Sequence, residues 1–121
     1  MNTTIQIGNV SVTGDFSVVT ARNIQESFNK TSGASLNAEL KERLRALTVQ
    51  VGQLAAQLPK DEAEKVSQDL QTLTAEATSK SPRKKWYDLS AEGLIEAAKT
   101  VAEMAAPVSA SVKAVLALLA Q

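Results

Sequence analysis

The 121-residue sequence contains no cysteine and no histidine. Their absence excludes disulfides, thiolate nucleophiles and imidazole bases, and with them nearly every zinc, copper or haem site. Thirteen Lys and Arg balance thirteen Asp and Glu, so no overall charge attracts nucleic acid or an anionic membrane. We therefore expect a protein that is not an enzyme, has no catalytic residues, and needs neither a metal nor a cofactor. Nucleic acid is not an expected partner.

The sequence also lacks a signal-like amino terminus and an uncharged run long enough to cross a bilayer, which predicts a cytoplasmic protein. Its composition changes near residue 35. Residues 1–34 are rich in Thr, Ser, Asn, Gly and Val, whereas residues 35–121 contain most of the Ala, Leu, Glu and Lys. We predict a β arm with a junction helix in the first region and a helical bundle in the second.

A six-residue repeat occupies the first region. Residues 7–12 and 13–18 share the order glycine, Asn or Asp, an apolar residue, Ser and Val. Because apolar residues alternate with Ser, we predict short strands with one apolar and one hydroxyl-bearing face. Either a β-hairpin turning at Gly14-Asp15 or a β-arch stacked on other protomers fits this pattern. A two-residue turn at Gly14-Asp15 would place Phe16 and Val18 on one face of the hairpin and Val10 and Val12 on the other. This mismatch favours stacking or a longer loop. Packing of the arm on its own helices is an equal alternative.

Two apolar seams predict long amphipathic helices in the second region. Apolar residues recur at intervals of four and three from Leu40 to Leu58, and again from Ala63 to Ala77. Pro59 separates the seams, so the two helices should form an antiparallel αα-hairpin. We predict a mainly α fold, in which a bundle of three or four helices follows the short β-hairpin or β-arch arm.

The last third of the chain predicts two more helices with a proline kink between them. Ser90 is the expected cap of the first helix, and Pro107 should break or bend the chain before the second. Residues 108–120 carry one charge, at Lys113, and are apolar nearly all round. A helix of this kind requires burial on most sides.

Apolar side chains at the two ends of the chain exceed what we expect one copy to bury. Full burial of each contributes about 1.5–3 kcal/mol, so four shared between protomers would offset the usual costs of association. We predict a homo-oligomer, or a complex with a partner effector protein. The predicted interface residues are Val10, Val12, Phe16 and Val18 in the arm, and Val112, Val115, Leu116 and Leu119 in the last helix.

A basic and aromatic segment precedes the last two helices. Arg83, Lys84 and Lys85 could contact an anion or lipid phosphates while Trp86 or Tyr87 stacks on a base or lies at a lipid interface. In the alternative interpretation, the two aromatic side chains anchor a loop over the helical core and the cations remain in water. We favour this structural interpretation because the remaining charges form no continuous basic stripe.

Four short segments carry a resemblance to known proteins. They are residues 7–16 with their two Gly-Asn/Asp-apolar motifs, residues 27–30 (Ser-Phe-Asn-Lys), residues 81–87 (Ser-Pro-Arg-Lys-Lys-Trp-Tyr) and residues 92–94 (Glu-Gly-Leu). The chain resembles small bacterial helical modules that open with a Gly-Asn/Asp-Val β segment. Such modules accompany effector or nucleotide-binding switch proteins of bacterial conflict and anti-phage systems. The resemblance implies an association or adaptor role and transfers no catalytic residue.

Together these observations predict a non-enzymatic oligomerisation or adaptor module that assembles through its arm and its last helix. The resemblance places such a module in a bacterial defence or cell-death system. The alternative is a membrane-active effector whose carboxy-terminal helices insert on activation. Residues 108–120 extend over about 20 Å as a helix, less than the ~30 Å hydrocarbon core of a bilayer. We therefore expect no membrane span at rest.

Overall fold

The computed structural model describes residues 3–120, which form a two-stranded antiparallel sheet followed by five helices. The mainly helical fold and the amino-terminal β-hairpin confirm the prediction: one helix lies in the predicted junction before residue 35, and four helices form the bundle that follows. The strands are β1 (Thr3–Ile7) and β2 (Val10–Gly14), and the helices are α1 (Val18–Gly33), α2 (Ala38–Ala55), α3 (Lys60–Ala77), α4 (Lys84–Lys99) and α5 (Ala102–Leu119).

The hairpin turns at Gly8 and Asn9, so the predicted turn at Gly14-Asp15 is wrong. Ile7 pairs with Val10 across the turn, and Gly8 has a φ of 63°. Glycine adopts this left-handed conformation without steric cost. The first copy of the repeat therefore supplies the turn between the strands, whereas the second copy starts with the last two residues of β2 and ends at the start of α1.

The two faces of the hairpin differ as predicted. Ile5, Ile7 and Val12 are buried on one face. On the exposed face, the hydroxyls of Thr4 and Thr13 lie 2.9 Å apart across the register. The period of two along each strand therefore separates an apolar face that packs on the helices from a hydroxyl-bearing face in water.

The second copy of the repeat does not continue as a strand. The Ser17 hydroxyl accepts a hydrogen bond from the Thr20 backbone N–H at 3.1 Å, and Val18 is the first residue of α1. A serine hydroxyl at this position satisfies one of the free amides at a helix start. The expected strand position of Val18 is therefore wrong.

Both predicted seams lie in the core. All of their residues are buried except Leu58, which is partly buried against the core. Helix α3 packs against α1, α2 and α4, and α5 packs against α4 and α2. The buried apolar residues form one continuous cluster that extends from Ile5 in the hairpin to Val115 in α5. The hairpin thus closes one side of a core that the five helices share.

Helix α4 begins six residues before the expected cap. Its first residue is Lys84, and Ser90 is buried inside the helix, where its hydroxyl donates to the carbonyls of Trp86 and Tyr87 at 3.1 Å. The predicted capping role of Ser90 is wrong because its hydroxyl bonds backward to the preceding turn, as serine commonly does within a helix.

The break between the last two helices lies at Thr100 and Val101, and Pro107 is inside α5. Of the two predicted effects of Pro107, a break or a bend, the break is wrong, because α5 continues through the proline. The proline lies in the second turn of α5, where its missing N–H removes only the helical hydrogen bond to the Glu103 carbonyl. A short turn upstream therefore separates the helices, and the chain accommodates the proline after it.

Candidate functional site

The arm residues predicted for an interface are largely covered by the chain itself. Val12 and Phe16 are 6% and 7% exposed and belong to the continuous core. Val10 is partly buried against that core, whereas Val18 is 79% exposed at the start of α1. Of the alternatives for the arm, the structure shows packing on its own helices. The apolar surface that the arm offers to another molecule is therefore reduced to Val18 and part of Val10.

The predicted interface residues of the last helix divide in the same way. Val112 and Val115 are fully buried, and Leu116 and Leu119 are partly buried against the core. Even so, α5 is the most apolar of the five described helices, and only 22% of its 18 residues are buried. The other residues of α5 are partly or fully exposed, so one side of this apolar helix faces away from the core.

Small side chains make up the outer side of α5. The alanines on this side are exposed, and the charges of the helix, Glu103 and Lys113, lie beside them and are also exposed. We call this surface the alanine face, and it comprises Ala102, Ala106, Ala110, Ala117 and Ala120. Its side chains would let another helix backbone approach closely.

A second surface lies at the start of α4. It combines exposed cations with two exposed large apolar side chains, Trp86 at 45% and Leu89 at 52%. Because these two residues are three apart in a helix, they lie on the same side of α4. We call this surface the basic–aromatic face, and it comprises Lys80, Arg83, Lys84, Lys85, Trp86 and Leu89.

A buried carboxylate holds the basic–aromatic face in place. Glu76, near the end of α3, is 5% exposed. It accepts a hydrogen bond from the Arg83 backbone N–H at 2.9 Å and others from the Arg83 guanidinium at 2.5 and 3.1 Å. Donation from the Arg83 guanidinium lowers the pKa of Glu76, and Glu76 in turn raises the pKa of Arg83. The loop between α3 and α4 is thereby fixed at both its ends.

Two cations lie close to the Trp86 ring. The guanidinium carbon of Arg83 is 5.9 Å from the ring centroid, and the Lys85 Nζ is 5.8 Å from it. Both distances are within the range of attraction between a cation and an aromatic ring. Lys84 instead pairs with Asp88 one turn along the helix, which raises the pKa of Lys84. These contacts hold the exposed indole beside positive charge.

The structural interpretation of the aromatic pair holds for one of the two residues. Tyr87 is 6% exposed and belongs to the core, as the structural interpretation predicted. Trp86 is 45% exposed and lies outside the core. The start of α4 also has no side-chain cap and no acidic residue in its first turn, so the lysines there add to the positive end of the helix dipole.

A half-buried carboxylate lies where α3 crosses α4. A Cβ added at Gly93 would clash with Oδ2 of Asp69, so the glycine makes room for this side chain. Burial raises the pKa of Asp69 to about 6. In residues 3–120, no group of three or more acidic side chains is placed to hold a metal ion.

Three residues of the basic–aromatic face and its support, Lys80, Leu89 and Glu76, were not identified from the sequence. Glu76 lies between the buried seam residues Leu73 and Ala77, and an acidic residue beside a buried seam, seven residues before an arginine, is the signal that could have revealed it. Leu89 lies one turn after Trp86, a spacing that places both on one side of a helix. The sequence analysis missed this pair because it placed the helix start at Ser90, after both residues, whereas α4 begins at Lys84.

Comparisons of the chain with protein-family models, with curated proteins and with solved structures found no match.

Proposed function

We propose that this protein is a non-enzymatic association module that binds through the alanine face of α5 to a second copy of itself. The observation that supports this is the low burial of the most apolar helix, in which only 22% of the residues are fully buried. A helix of this composition is stabilised when more of its surface is removed from water. The resemblance to adaptor modules of bacterial defence systems supports the same role, in the cytoplasm and beside a partner effector protein.

The order of residues along α5 favours an antiparallel pair of helices. If a two-fold axis passes near Val108, the exposed Ala106 faces the partner's Ala110. The same axis brings Glu103 level with the partner's Lys113, five residues on the other side of the centre. Each copy then contributes one acid and one base to the two ends of the contact, and like charges do not meet.

Charge exchange tests this arrangement. We expect the wild-type mass in a sedimentation dilution series to change from dimer to monomer as concentration falls. Glu103→Lys and Lys113→Glu should each weaken the dimer by about tenfold, because each places like charges level with one another. The double exchange should restore most of the affinity. A wild-type chain that stays monomeric at high concentration would refute the proposal.

A charged side chain introduced on the alanine face provides a second test of the dimer. Ala110→Glu should yield a monomer, whereas the matched control Ala38→Glu, at an exposed alanine of α2, should leave the dimer unchanged. Equal masses for the two variants would contradict a contact through α5. Circular dichroism checks that both variants keep their helices.

Membrane insertion of α5 is the second candidate function, and one observation favours it. The helix has 18 residues and a mean hydropathy of 1.5, which by length and composition is sufficient to cross a bilayer. Release of a dye from vesicles distinguishes the candidates in the same series of variants. An association module releases none, whereas an inserting helix releases dye and loses this activity in Leu116→Glu.

A further inference from the structure

We propose that the basic–aromatic face docks the protein on the surface of an anionic lipid bilayer. This surface is separate from the alanine face and is not needed for the proposed association. The inference rests on two features that lie together at the start of α4: exposed apolar side chains of the kind that enter a lipid interface, and cations that complement lipid phosphates.

The apolar part of the face is Trp86 and Leu89. With Val18 they are the three large apolar side chains that are exposed within residues 3–120, and only these two lie together. An indole is favourable at the level of the lipid headgroups, where its ring is partly buried and its N–H remains near water. Leucine one turn further along reaches the boundary of the acyl chains. The pair is therefore suited to a shallow position in one leaflet.

The charged part of the face complements a surface rich in phosphate. Lys80, Arg83, Lys84 and Lys85 fall within six residues and are all exposed. Arg83 and Lys84 pair with carboxylates, whereas in the part of the chain that the structure describes no ion pair involves Lys80 or Lys85. Because no carboxylate neutralises these two lysines, their charges remain available to lipid phosphates, including that of Lys85 beside the Trp86 ring. Each cation close to an anionic surface strengthens binding by about fivefold.

The composition of the face favours a bilayer over a nucleic acid. A nucleic acid requires a basic track along its backbone, but acidic Glu92 and Glu96 are exposed on the turns of α4 that follow Leu89. Leucine cannot stack on a base as an aromatic ring does, whereas it contributes to burial in lipid. One turn of cations beside an indole and a leucine is sufficient to contact a few lipid headgroups.

The fluorescence of Trp86 measures this docking directly, because the chain has one tryptophan. We expect its emission to shift to shorter wavelength with vesicles of phosphatidylcholine containing one third phosphatidylserine, and to be quenched when the lipids carry bromine near the headgroup. Vesicles of phosphatidylcholine alone should leave the emission unchanged. Raising the salt concentration should release the protein, because salt screens the charges.

Matched variants distinguish binding through the basic–aromatic face from binding that depends only on the net charge of the protein. Lys80→Gln/Lys85→Gln should weaken partitioning into the anionic vesicles by about twentyfold. Arg43→Gln/Arg45→Gln removes the same charge from exposed positions on α2 and should change partitioning by less than about twofold at the same salt concentration. Leu89→Gln should weaken it by about fivefold, whereas Val18→Gln should have no effect.

Three results would overturn the proposal. The first is an unchanged Trp86 emission with anionic vesicles in the folded wild-type protein. The second is an equal loss of partitioning in the α2 control and in the face variant, which would indicate binding by net charge alone. The third is quenching of Trp86 by a single-stranded oligonucleotide at lower concentration than the vesicles require, which would assign the face to nucleic acid. Because the dimer is measured without lipid, failure here leaves the association through α5 unaffected.

Discussion

Two glycines determine how closely neighbouring elements approach. A Cβ added at Gly52 would lie 2.8 Å from Cδ1 of Ile7, and the one at Gly93 would contact the Asp69 carboxylate. At Gly52 the hairpin therefore packs directly on the backbone of α2. At Gly93 the missing side chain lets α3 place a carboxylate against α4, where burial disfavours the charged form.

The raised pKa of Asp69 makes folding depend on pH in a defined direction. The pKa is about 6 in the folded protein against 3.8 as the ordinary value. Between pH 4 and 6 the folded protein therefore holds a proton that the unfolded chain has lost, so the free energy of unfolding falls as pH rises and levels off above pH 6. At 1.36 kcal/mol per pKa unit, and reduced for partial exposure, the loss is about 1–2 kcal/mol.

Asp69→Asn should remove this dependence, because the amide stays neutral at every pH. We expect the variant to be about 1–2 kcal/mol more stable than wild type at pH 7 and of similar stability near pH 4. Urea unfolding at a series of pH values measures the difference. Glu92→Gln, at an exposed position on α4, is the control. Parallel pH profiles for Asp69→Asn and wild type would contradict the assignment.

The basic–aromatic segment shows how far single residues could be predicted. Its composition pointed to the correct part of the chain, but Trp86 and Tyr87 are adjacent and project about 100° apart on a helix. The two rings therefore face different surroundings, and which one is buried depends on where the neighbouring helices lie. The partner of Arg83 depends on the same packing, because Glu76 is reached only after the loop returns the chain to α3.

At the scale of elements, local periodicity predicted the long helices and tertiary contacts decided the boundaries. The seams from Leu40 and from Ala63 are buried as expected because the apolar spacing itself defines a helix face. The choice between two similar glycine turns in the arm was not local. Gly14 lies where an added Cβ would be 2.9 Å from that of Ala56, so this glycine serves close packing on α2, and the turn forms at Gly8.

Helix α5 provides a prediction at this scale. Pro107 lacks the N–H that would bond the Glu103 carbonyl, and the rest of the helix is continuous around it. Pro107→Ala should restore this hydrogen bond and raise the free energy of unfolding by about 1–2 kcal/mol. Thermal unfolding followed by circular dichroism measures the change.

Pro82, in the exposed loop before α4, is the control for Pro107. Pro82→Ala increases the freedom of the unfolded chain without restoring a helical bond, so it should not stabilise the protein. A Pro107→Ala variant no more stable than Pro82→Ala would show that the proline costs α5 nothing.

At the scale of the whole molecule, the hairpin and all five helices of the described chain contribute to one core. The arm therefore reduces its own capacity for association by covering its apolar face with α1 and α2. The alanine face and the basic–aromatic face lie outside this core, on α5 and at the start of α4. A variant of either face can thus be tested without removing a buried side chain. Substitutions on these two faces therefore test function with less effect on folding than substitutions in the arm.

A single core predicts that the arm and the bundle unfold together. Ile7 is 1% exposed in β1, and truncating such a side chain leaves a cavity that costs about 2–4 kcal/mol. Ile7→Ala should therefore shift the urea transition of Trp86 fluorescence on α4 by the same amount as the transition of the helical circular dichroism signal. Thr4→Ala, on the exposed face of β1, should shift both by less than about 1 kcal/mol. If the Trp86 transition of Ile7→Ala stays at the wild-type midpoint, the bundle folds without the arm, because a defect in a shared core cannot leave one part at full stability.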